Sequence, residues 1–170
     1  ILNDDEIRAL WRATAEPGAF NAIVRLLLLT AQRREMVAGM KHDDVDDDGV
    51  WKLPEGERRK GNVGAVKLPA AALEIIRAQP QIDDISLLFP GSRQRRKGKG
   101  IGPFCAFTKP KTDLDKACGF SDWVLHDLRR TSRSLMSRAQ VAPHIAERVL
   151  GHVQPGVLGV YDRHRYDEEK

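Results

Sequence analysis

Hydrophobic residues in the N-terminal part of the chain recur at helical spacing. Asn3 followed by Glu6 is a capping-box pattern, and the apolar residues after it predict a first helix that ends near residue 16, before a proline-glycine pair. Residues 19–30 are apolar on nearly every side, so we expect a helix at the centre of the core. A short third helix is expected at residues 33–40.

The pattern then changes to short runs typical of strands. Three runs, at residues 50–53, 57–60 and 65–68, are separated by turn-forming residues and predict a three-stranded antiparallel meander. A helix starting at a proline is expected over residues 69–79. Residues 91–102 contain four glycines and five basic residues, which favours a mobile loop.

The last third of the chain returns to helical spacing. Four further helices are predicted, at residues 104–117, 125–138, 143–150 and 157–163. We expect Pro110 to break the first of them. The sequence therefore predicts an α+β fold, mainly helical with a small three-stranded antiparallel sheet, in one domain covering residues 1–170.

The composition limits the classes of protein to consider. The chain has no run of eighteen apolar residues, so no membrane span is expected. Cys105 and Cys118 lack the C-x-x-C spacing of a metal or redox site, which favours free thiols in a reducing compartment. Because the chain begins at Ile1 instead of methionine, we interpret it as part of a longer protein.

Charge is unevenly distributed along the chain, although the formal net charge is only +4. Acidic residues cluster at residues 43–48, whereas basic residues cluster at 58–60 and again at 93–99. Two separated basic stretches indicate an anionic polymer as partner. The alternative is that they are solubilising loops.

The acidic cluster also matches a calcium-binding pattern. Residues 44–55 fit D-x-D-x-D-G-x5-E. A calcium loop must be followed by a helix that carries the final glutamate, yet Pro54 directly precedes that glutamate and residues 51–53 alternate like a strand. We therefore reject calcium binding and predict an acidic turn that enters the first strand.

The helix predicted at residues 125–138 carries candidate chemistry. His126 and Arg129 are three residues apart and so share a helix face, while three leucines lie on the opposite side. An imidazole transfers protons near neutral pH, and a guanidinium can bind two phosphate oxygens at once. The pair suits chemistry on phosphate; the alternative is an ordinary charged helix face.

Three other stretches complete a set of functional residues. Two arginines, Arg33 and Arg34, follow the apolar helix; Lys60 is predicted at a hairpin tip; and His152 is followed nine residues later by Tyr161. This set resembles the tyrosine recombinases, the phage-type integrases, over nearly the whole chain. The resemblance rests on T-A-Q-R-R-E-M-V-A-G-M at residues 30–40, L-H-D-L-R-R-T at 125–131, V-L-G-H at 149–152 and G-V-Y-D-R-H at 159–164.

The resemblance implies a fold and a reaction. The family's catalytic domain is mainly helical with a small three-stranded sheet. Its tyrosine, here Tyr161, attacks a DNA backbone phosphate, forming a 3′-phosphotyrosine bond and freeing a 5′-hydroxyl that later reverses the attack. His126 would transfer the phenol proton, and Lys60 would protonate the departing 5′-oxygen. Arg33 and Arg129 would bind the non-bridging oxygens, and His152 would add a hydrogen bond to the phosphate.

Several positions keep alternatives open. Arg34 competes with Arg33, and Tyr166 competes with Tyr161. The chain also departs from the family pattern at three neighbouring positions. The family usually has an acidic residue three places after its first arginine, but this chain has Met36 there, with an acid one place earlier at Glu35. The family also often has a glycine in the tight turn before that arginine, and this chain has Ala31.

The resemblance also implies partners, and it implies that the N-terminal DNA-binding domain or domains of the full protein are absent from this chain. With this many cationic donors we expect no metal and no other cofactor. We expect double-stranded DNA as the partner, a tetramer on DNA for the full-length protein, a monomer for the isolated domain, and a cytoplasmic location in a bacterial or phage-infected cell. DNA binding should be largely electrostatic. The expected DNA-binding residues are Arg58, Arg59, Lys67, Arg93, Arg95, Arg96, Lys97 and Lys99.

The function expected from the sequence is site-specific DNA cleavage and rejoining by an integrase of a phage or mobile element. Two alternatives remain. The first is a DNA-relaxing topoisomerase with the same chemistry, and the second is a DNA-binding module without catalysis, which the Met36 departure favours.

Overall fold

The computed structural model describes residues 1–53, 64–94 and 100–152. Its first three helices are α1 (Asp4–Ala13), α2 (Ala19–Thr30) and α3 (Arg34–Ala38). The predicted capping box is present at the start of α1: the Asn3 side chain accepts the backbone N–H of Glu6 at 3.0 Å, and the Glu6 carboxylate accepts the backbone N–H of Asn3 at 2.7 Å. Two N–H groups at the helix start are thereby satisfied.

Helix α2 lies at the centre of the core, as its apolar sequence predicted. Eight of its twelve residues are buried. It packs against α3, against α4 (Ala70–Arg77) and against α6 (Leu125–Arg138). Ser132 of α6 donates its hydroxyl to the Leu28 carbonyl at 2.6 Å, which adds a polar contact to this apolar packing. The residues that follow α2 are therefore held between rigid elements.

Two more helices are α5 (Thr108–Cys118) and α7 (Pro143–Val149). The expected break at Pro110 is wrong, because α5 continues through it. Pro110 is the third residue of α5, and N–H groups in the first turn have no acceptor within the helix, so a proline there removes no hydrogen bond. The helix predicted at residues 157–163 lies outside the described residues. Within residues 1–53, 64–94 and 100–152, no helix is long and apolar enough to span a membrane.

The sheet prediction needs correction. The described residues form two separate two-stranded antiparallel sheets instead of one three-stranded sheet. Strand β1 (Val50–Lys52) pairs with β2 (Ala65–Lys67), and the buried Trp51 and Val66 face each other. β1 thus pairs directly with the run predicted to be the third strand, whereas a meander would place the middle run between them. That middle run, residues 57–60, lies outside the described residues.

The second sheet lies where a loop was expected. Strand β3 (Pro90–Gln94) pairs antiparallel with β4 (Ile101–Pro103). A Cβ atom at Gly91 would lie only 3.0 Å from the Pro103 carbonyl oxygen. The glycine at that position therefore allows close strand approach, and the expectation of a loop over residues 91–102 is wrong at both ends of that segment.

The acidic turn before β1 matches its prediction. The Asp46 carboxylate accepts the backbone N–H of Val50 at 2.9 Å, and Gly49 has a left-handed φ of 76°. The side chain of Asp46 is thus used to close the turn, and the chain enters a strand at Val50, as the alternating pattern predicted.

Candidate active site

A cleft of about 460 Å³ opens between the α2–α3 junction, the N-terminus of α5 and the N-terminus of α6. Arg33, His126 and Arg129 all line it. The lining is also partly aromatic: Phe107 lies under the Arg34 guanidinium, and the Lys111 ammonium lies 4.0 Å from the ring centroid of Trp123. The cleft therefore combines cationic and aromatic side chains.

The turn after α2 places the first arginine. Ala31 ends α2 in the left-handed conformation, with φ 56°. A residue with a Cβ atom is disfavoured there by about 1 kcal/mol or more. The turn directs the Ala31 carbonyl toward Arg129, which donates to it from Nη1 at 2.6 Å. Arg33 then precedes α3 in an extended conformation and lies half-buried at the cleft.

Arg129 is a buried cation at the back of the cleft, with 5% of its surface exposed. Besides the Ala31 contact, its Nη2 donates to the Leu150 carbonyl and lies 3.2 Å from Nε2 of His152. Burial, together with the charge of Arg33, lowers the pKa of Arg129 to about 10, and Glu147 partly opposes the shift. The guanidinium therefore stays charged at neutral pH and is held by backbone carbonyls.

The end of α7 places His152. Gly151 adopts a left-handed φ of 67°; its N–H donates to the Arg148 carbonyl at 2.9 Å, and the His152 N–H donates to the Glu147 carbonyl at 3.0 Å. These two hydrogen bonds form a Schellman motif, which folds the chain back over the last turn of the helix. The motif brings His152, the second residue after the C-cap, against Glu147, the third-last residue of α7. His152 is accordingly returned to Glu147, with Nδ1 2.6 Å from Oε2.

His126 is exposed at the second position of α6. The start of this helix is defined by Asp127, whose carboxylate accepts the Val124 backbone N–H at 3.0 Å and pairs with Arg130 at 2.9 Å. The hydrogen bond from Val124 and the pairing with Arg130 lower the pKa of Asp127. The ionised carboxylate near the helix N-terminus stabilises the first turn and with it the position of His126.

The structure brings the described candidates together. Arg33, His126 and Arg129 share one cleft, and His152 contacts Arg129 from the end of α7. Lys67 does not line this cleft; it is exposed on β2 and donates to the Asp48 carbonyl. The backbone of Arg93 belongs to β3, but its side chain is not described. The remaining candidates lie outside the described residues: Arg58, Arg59, Lys60, Arg95, Arg96, Lys97, Lys99 and Tyr161.

A family model described as the phage integrase family matches residues 1–168. The chain belongs to the phage integrase family. The resemblance read from the four motifs is thereby confirmed. No curated protein sequence matches the chain.

Solved structures of tyrosine recombinases share the fold. The XerA recombinase is 22% identical with a TM-score of 0.72, and the match covers 90% of this chain and 55% of that one. The lambda integrase catalytic core is 21% identical with a TM-score of 0.64, and the match covers 92% of this chain and 93% of that one. A lambda integrase tetramer bound to a Holliday junction is 19% identical with a TM-score of 0.60, and the match covers 90% of this chain and 46% of that one. The chain thus spans about half of two of these longer chains.

Two of the three departures from the family pattern, Glu35 and Met36, have different structural settings. Met36 is 4% exposed and belongs to the hydrophobic core. Glu35 pairs with Arg34 at 2.7 Å. Arg33 and Arg34 both line the cleft, but Arg33 is the one whose charge lowers the pKa of Arg129. In this member of the phage integrase family, the position that usually holds an acidic residue is therefore occupied by Met36, which packs in the core.

Two contributors to the site were not found by sequence reasoning. Gln32 is 1% exposed, and its Nε2 donates to the Val149 carbonyl at 2.6 Å, joining the turn after α2 to the end of α7. Glu147 contacts His152. The glycine at position 151 was a usable signal for Glu147, because a Schellman end predicts which helical residue meets His152. Gln32 had no local signal, since Val149 is 117 residues away.

We expect Gln32→Leu to lower the free energy of unfolding by about 1–3 kcal/mol. Leucine has nearly the same volume but cannot donate to the buried Val149 carbonyl. Denaturant unfolding measures the change. Gln79→Leu is the matched control, because Gln79 also donates to a carbonyl, that of Ile75, but is only partly buried. Equal stability of the Gln32 and Gln79 variants would contradict the proposed link between α2 and α7.

Proposed function

We propose that this chain is the catalytic domain of a site-specific tyrosine recombinase, an integrase of a phage or mobile element, that cleaves and rejoins DNA through a 3′-phosphotyrosine intermediate. The observation that carries the proposal is the convergence of Arg33, His126 and Arg129 on one cleft, with His152 against Arg129. Three cationic or proton-transferring groups at one place suit a phosphate whose negative charge grows in the transition state.

The contacts of Arg129 leave it able to bind phosphate. A guanidinium has five N–H groups. Three of these N–H groups point at described residues: they are directed at the Ala31 carbonyl, the Leu150 carbonyl and His152. Nε–H and one hydrogen on Nη1 are left for phosphate oxygens. Because the group is buried and prepositioned, its interaction with a developing charge is stronger than in water.

Each proton in the proposed reaction has a donor and an acceptor. The Tyr161 oxygen attacks phosphorus as its proton passes to His126, and the bond from phosphorus to the 5′-oxygen breaks as Lys60 gives that oxygen a proton. A phenol is protonated at neutral pH, so it needs such a proton acceptor. The energy of the broken phosphodiester is kept in the phosphotyrosine, so rejoining needs no ATP.

The proposed partner is double-stranded DNA. The lambda integrase structure bound to a Holliday junction is a tetramer, which supports a tetramer on DNA for the full-length protein. The partial coverage of XerA and of that lambda integrase supports further domains in the full-length protein. Arg58, Arg59, Lys67 and the basic residues at 93–99 would bind the DNA backbone. We expect the protein to act in the cytoplasm, on bacterial or phage DNA.

Covalent trapping tests the proposed function. The protein is incubated at low salt with a pool of nicked duplexes of randomised sequence, in which the released strand diffuses away and prevents rejoining. We expect an adduct that survives denaturing detergent and a tryptic peptide carrying a nucleotide on Tyr161. The recovered DNA identifies the preferred site.

Two other outcomes would replace the proposal. Bound DNA without any adduct would indicate a binding module without catalysis, the reading that the buried Met36 favours. Relaxation of a supercoiled plasmid without a preferred sequence in the trapped DNA would indicate a topoisomerase.

A further inference from the structure

Four charged or polar side chains connect α6 and α7 in an unbroken series beside the cleft. Arg133 Nε lies 2.8 Å from Glu147 Oε1, Glu147 Oε2 lies 2.6 Å from His152 Nδ1, and His152 Nε2 lies 3.2 Å from Arg129 Nη2. Both ring nitrogens of His152 are therefore engaged, one by a carboxylate and one by a guanidinium.

The backbone explains why these four residues meet. Arg129 and Arg133 are one turn apart on α6 and so share a helix face. The Schellman end of α7 brings His152 against Glu147. Because α6 and α7 pack together, the two arginines lie on either side of the glutamate–histidine pair.

The chemistry of the neighbours determines where the imidazole carries its proton. A carboxylate only accepts hydrogen bonds, and a guanidinium only donates them. Glu147 is ionised at neutral pH, since the hydrogen bond from Arg133 and the contact with His152 lower its pKa. Nδ1 must therefore carry a hydrogen, and Nε2 must present its lone pair to Arg129. A hydrogen on Nε2 would instead point at the N–H groups of Arg129 and remove that bond.

We propose that Glu147 is a positioning residue that holds His152 in the Nδ1–H tautomer, so that Nε2 accepts from Arg129 and orients its guanidinium in the cleft. The importance of Arg129 for the reaction rests on the proposed function, whereas the tautomer itself does not. Arg133 keeps the carboxylate turned toward His152. In this resting arrangement Nε2 has no hydrogen to donate to a phosphate, so a hydrogen bond from His152 to DNA requires the imidazolium form and release of Arg129.

Long-range hydrogen–nitrogen NMR correlations of the histidine rings test the proposal without DNA. The protein has five histidines, and the His152 signals are assigned by their loss in His152→Gln. At about pH 8, where an ordinary histidine is neutral, we expect a protonated Nδ1 and an unprotonated Nε2. An Nε2–H tautomer or an imidazolium in the wild-type protein overturns the proposal.

Two substitutions at one position separate orientation from charge. Glu147→Gln retains a carbonyl oxygen that can accept from Nδ1, so we expect it to keep the Nδ1–H tautomer. Glu147→Leu has no acceptor, and we expect its His152 to shift toward the Nε2–H form that free histidine prefers. An unchanged tautomer in Glu147→Leu overturns the proposal. If this variant fails to fold, an Nε2–H tautomer in the wild-type spectrum still overturns the proposal.

The rate of covalent trapping gives the functional readout. We expect Glu147→Leu to lower the single-turnover rate by about 10- to 100-fold, the range found for carboxylates that orient metal-binding histidines, and Glu147→Gln to restore most of it. Glu74→Leu, at an exposed position of α4, is the control for loss of a surface carboxylate. A wild-type rate in Glu147→Leu with a changed tautomer would overturn the functional part. Absence of trapping in the wild type would contradict the proposed function and leave the tautomer result standing.

Discussion

Tyr161→Phe is expected to abolish covalent attachment to DNA while leaving DNA affinity unchanged. The substitution removes only the phenolic oxygen, which is the proposed nucleophile, and retains the aromatic ring. If Tyr161 is the nucleophile, its loss leaves no attacking oxygen in the site, so the loss of attachment should be complete, in contrast to the partial losses expected at residues that only stabilise charge. Denaturing gels after incubation with the nicked duplex measure the adduct, and gel shifts at matched salt measure binding.

The chain provides its own control for this substitution, because it has two tyrosines and the other is Tyr166. Tyr166→Phe removes the same oxygen five residues away and should trap DNA at the wild-type level. If trapping is lost in Tyr166→Phe and kept in Tyr161→Phe, the nucleophile has been assigned to the wrong tyrosine. Trapping by both single variants would show that neither tyrosine is required by itself and would contradict the role proposed for Tyr161.

The second large effect is expected for Arg129→Lys, which should slow DNA cleavage by about 10³-fold. A lysine ammonium has the same charge but cannot reach the Ala31 carbonyl, the Leu150 carbonyl and a phosphate together. We also expect the free energy of unfolding to fall by about 1–3 kcal/mol, because at least one buried carbonyl loses its donor. Single-turnover trapping and denaturant unfolding measure the two effects.

Arg130→Lys is the matched control for this variant. Arg130 is the next residue on α6, but it is exposed and pairs with Asp127. Such a surface change should alter stability by less than about 0.5 kcal/mol and leave cleavage unchanged. Near-normal cleavage by Arg129→Lys would show that charge alone suffices at this position and would contradict the role assigned to the buried guanidinium.

Local pattern was sufficient for most of the described helices, although it wrongly predicted a break at Pro110 of α5. The bounds predicted for α2 and α6 match the structure because hydrophobic spacing and breaking residues act within a few positions of each other. It was not sufficient for the sheets. Strand pairing joins residues distant in sequence, so the direct pairing of β1 with β2 could not be read from alternation alone.

The sequence by itself determined the family, the order of the candidate residues and the helical face shared by His126 and Arg129. These depend on residue identity and short spacing. Only the tertiary structure decided that Arg129 is buried against two backbone carbonyls, that Gln32 joins α2 to α7, and that Glu147 contacts His152. The physical reason is that each of these contacts needs the ends of separate helices to meet, and this depends on how the helices pack.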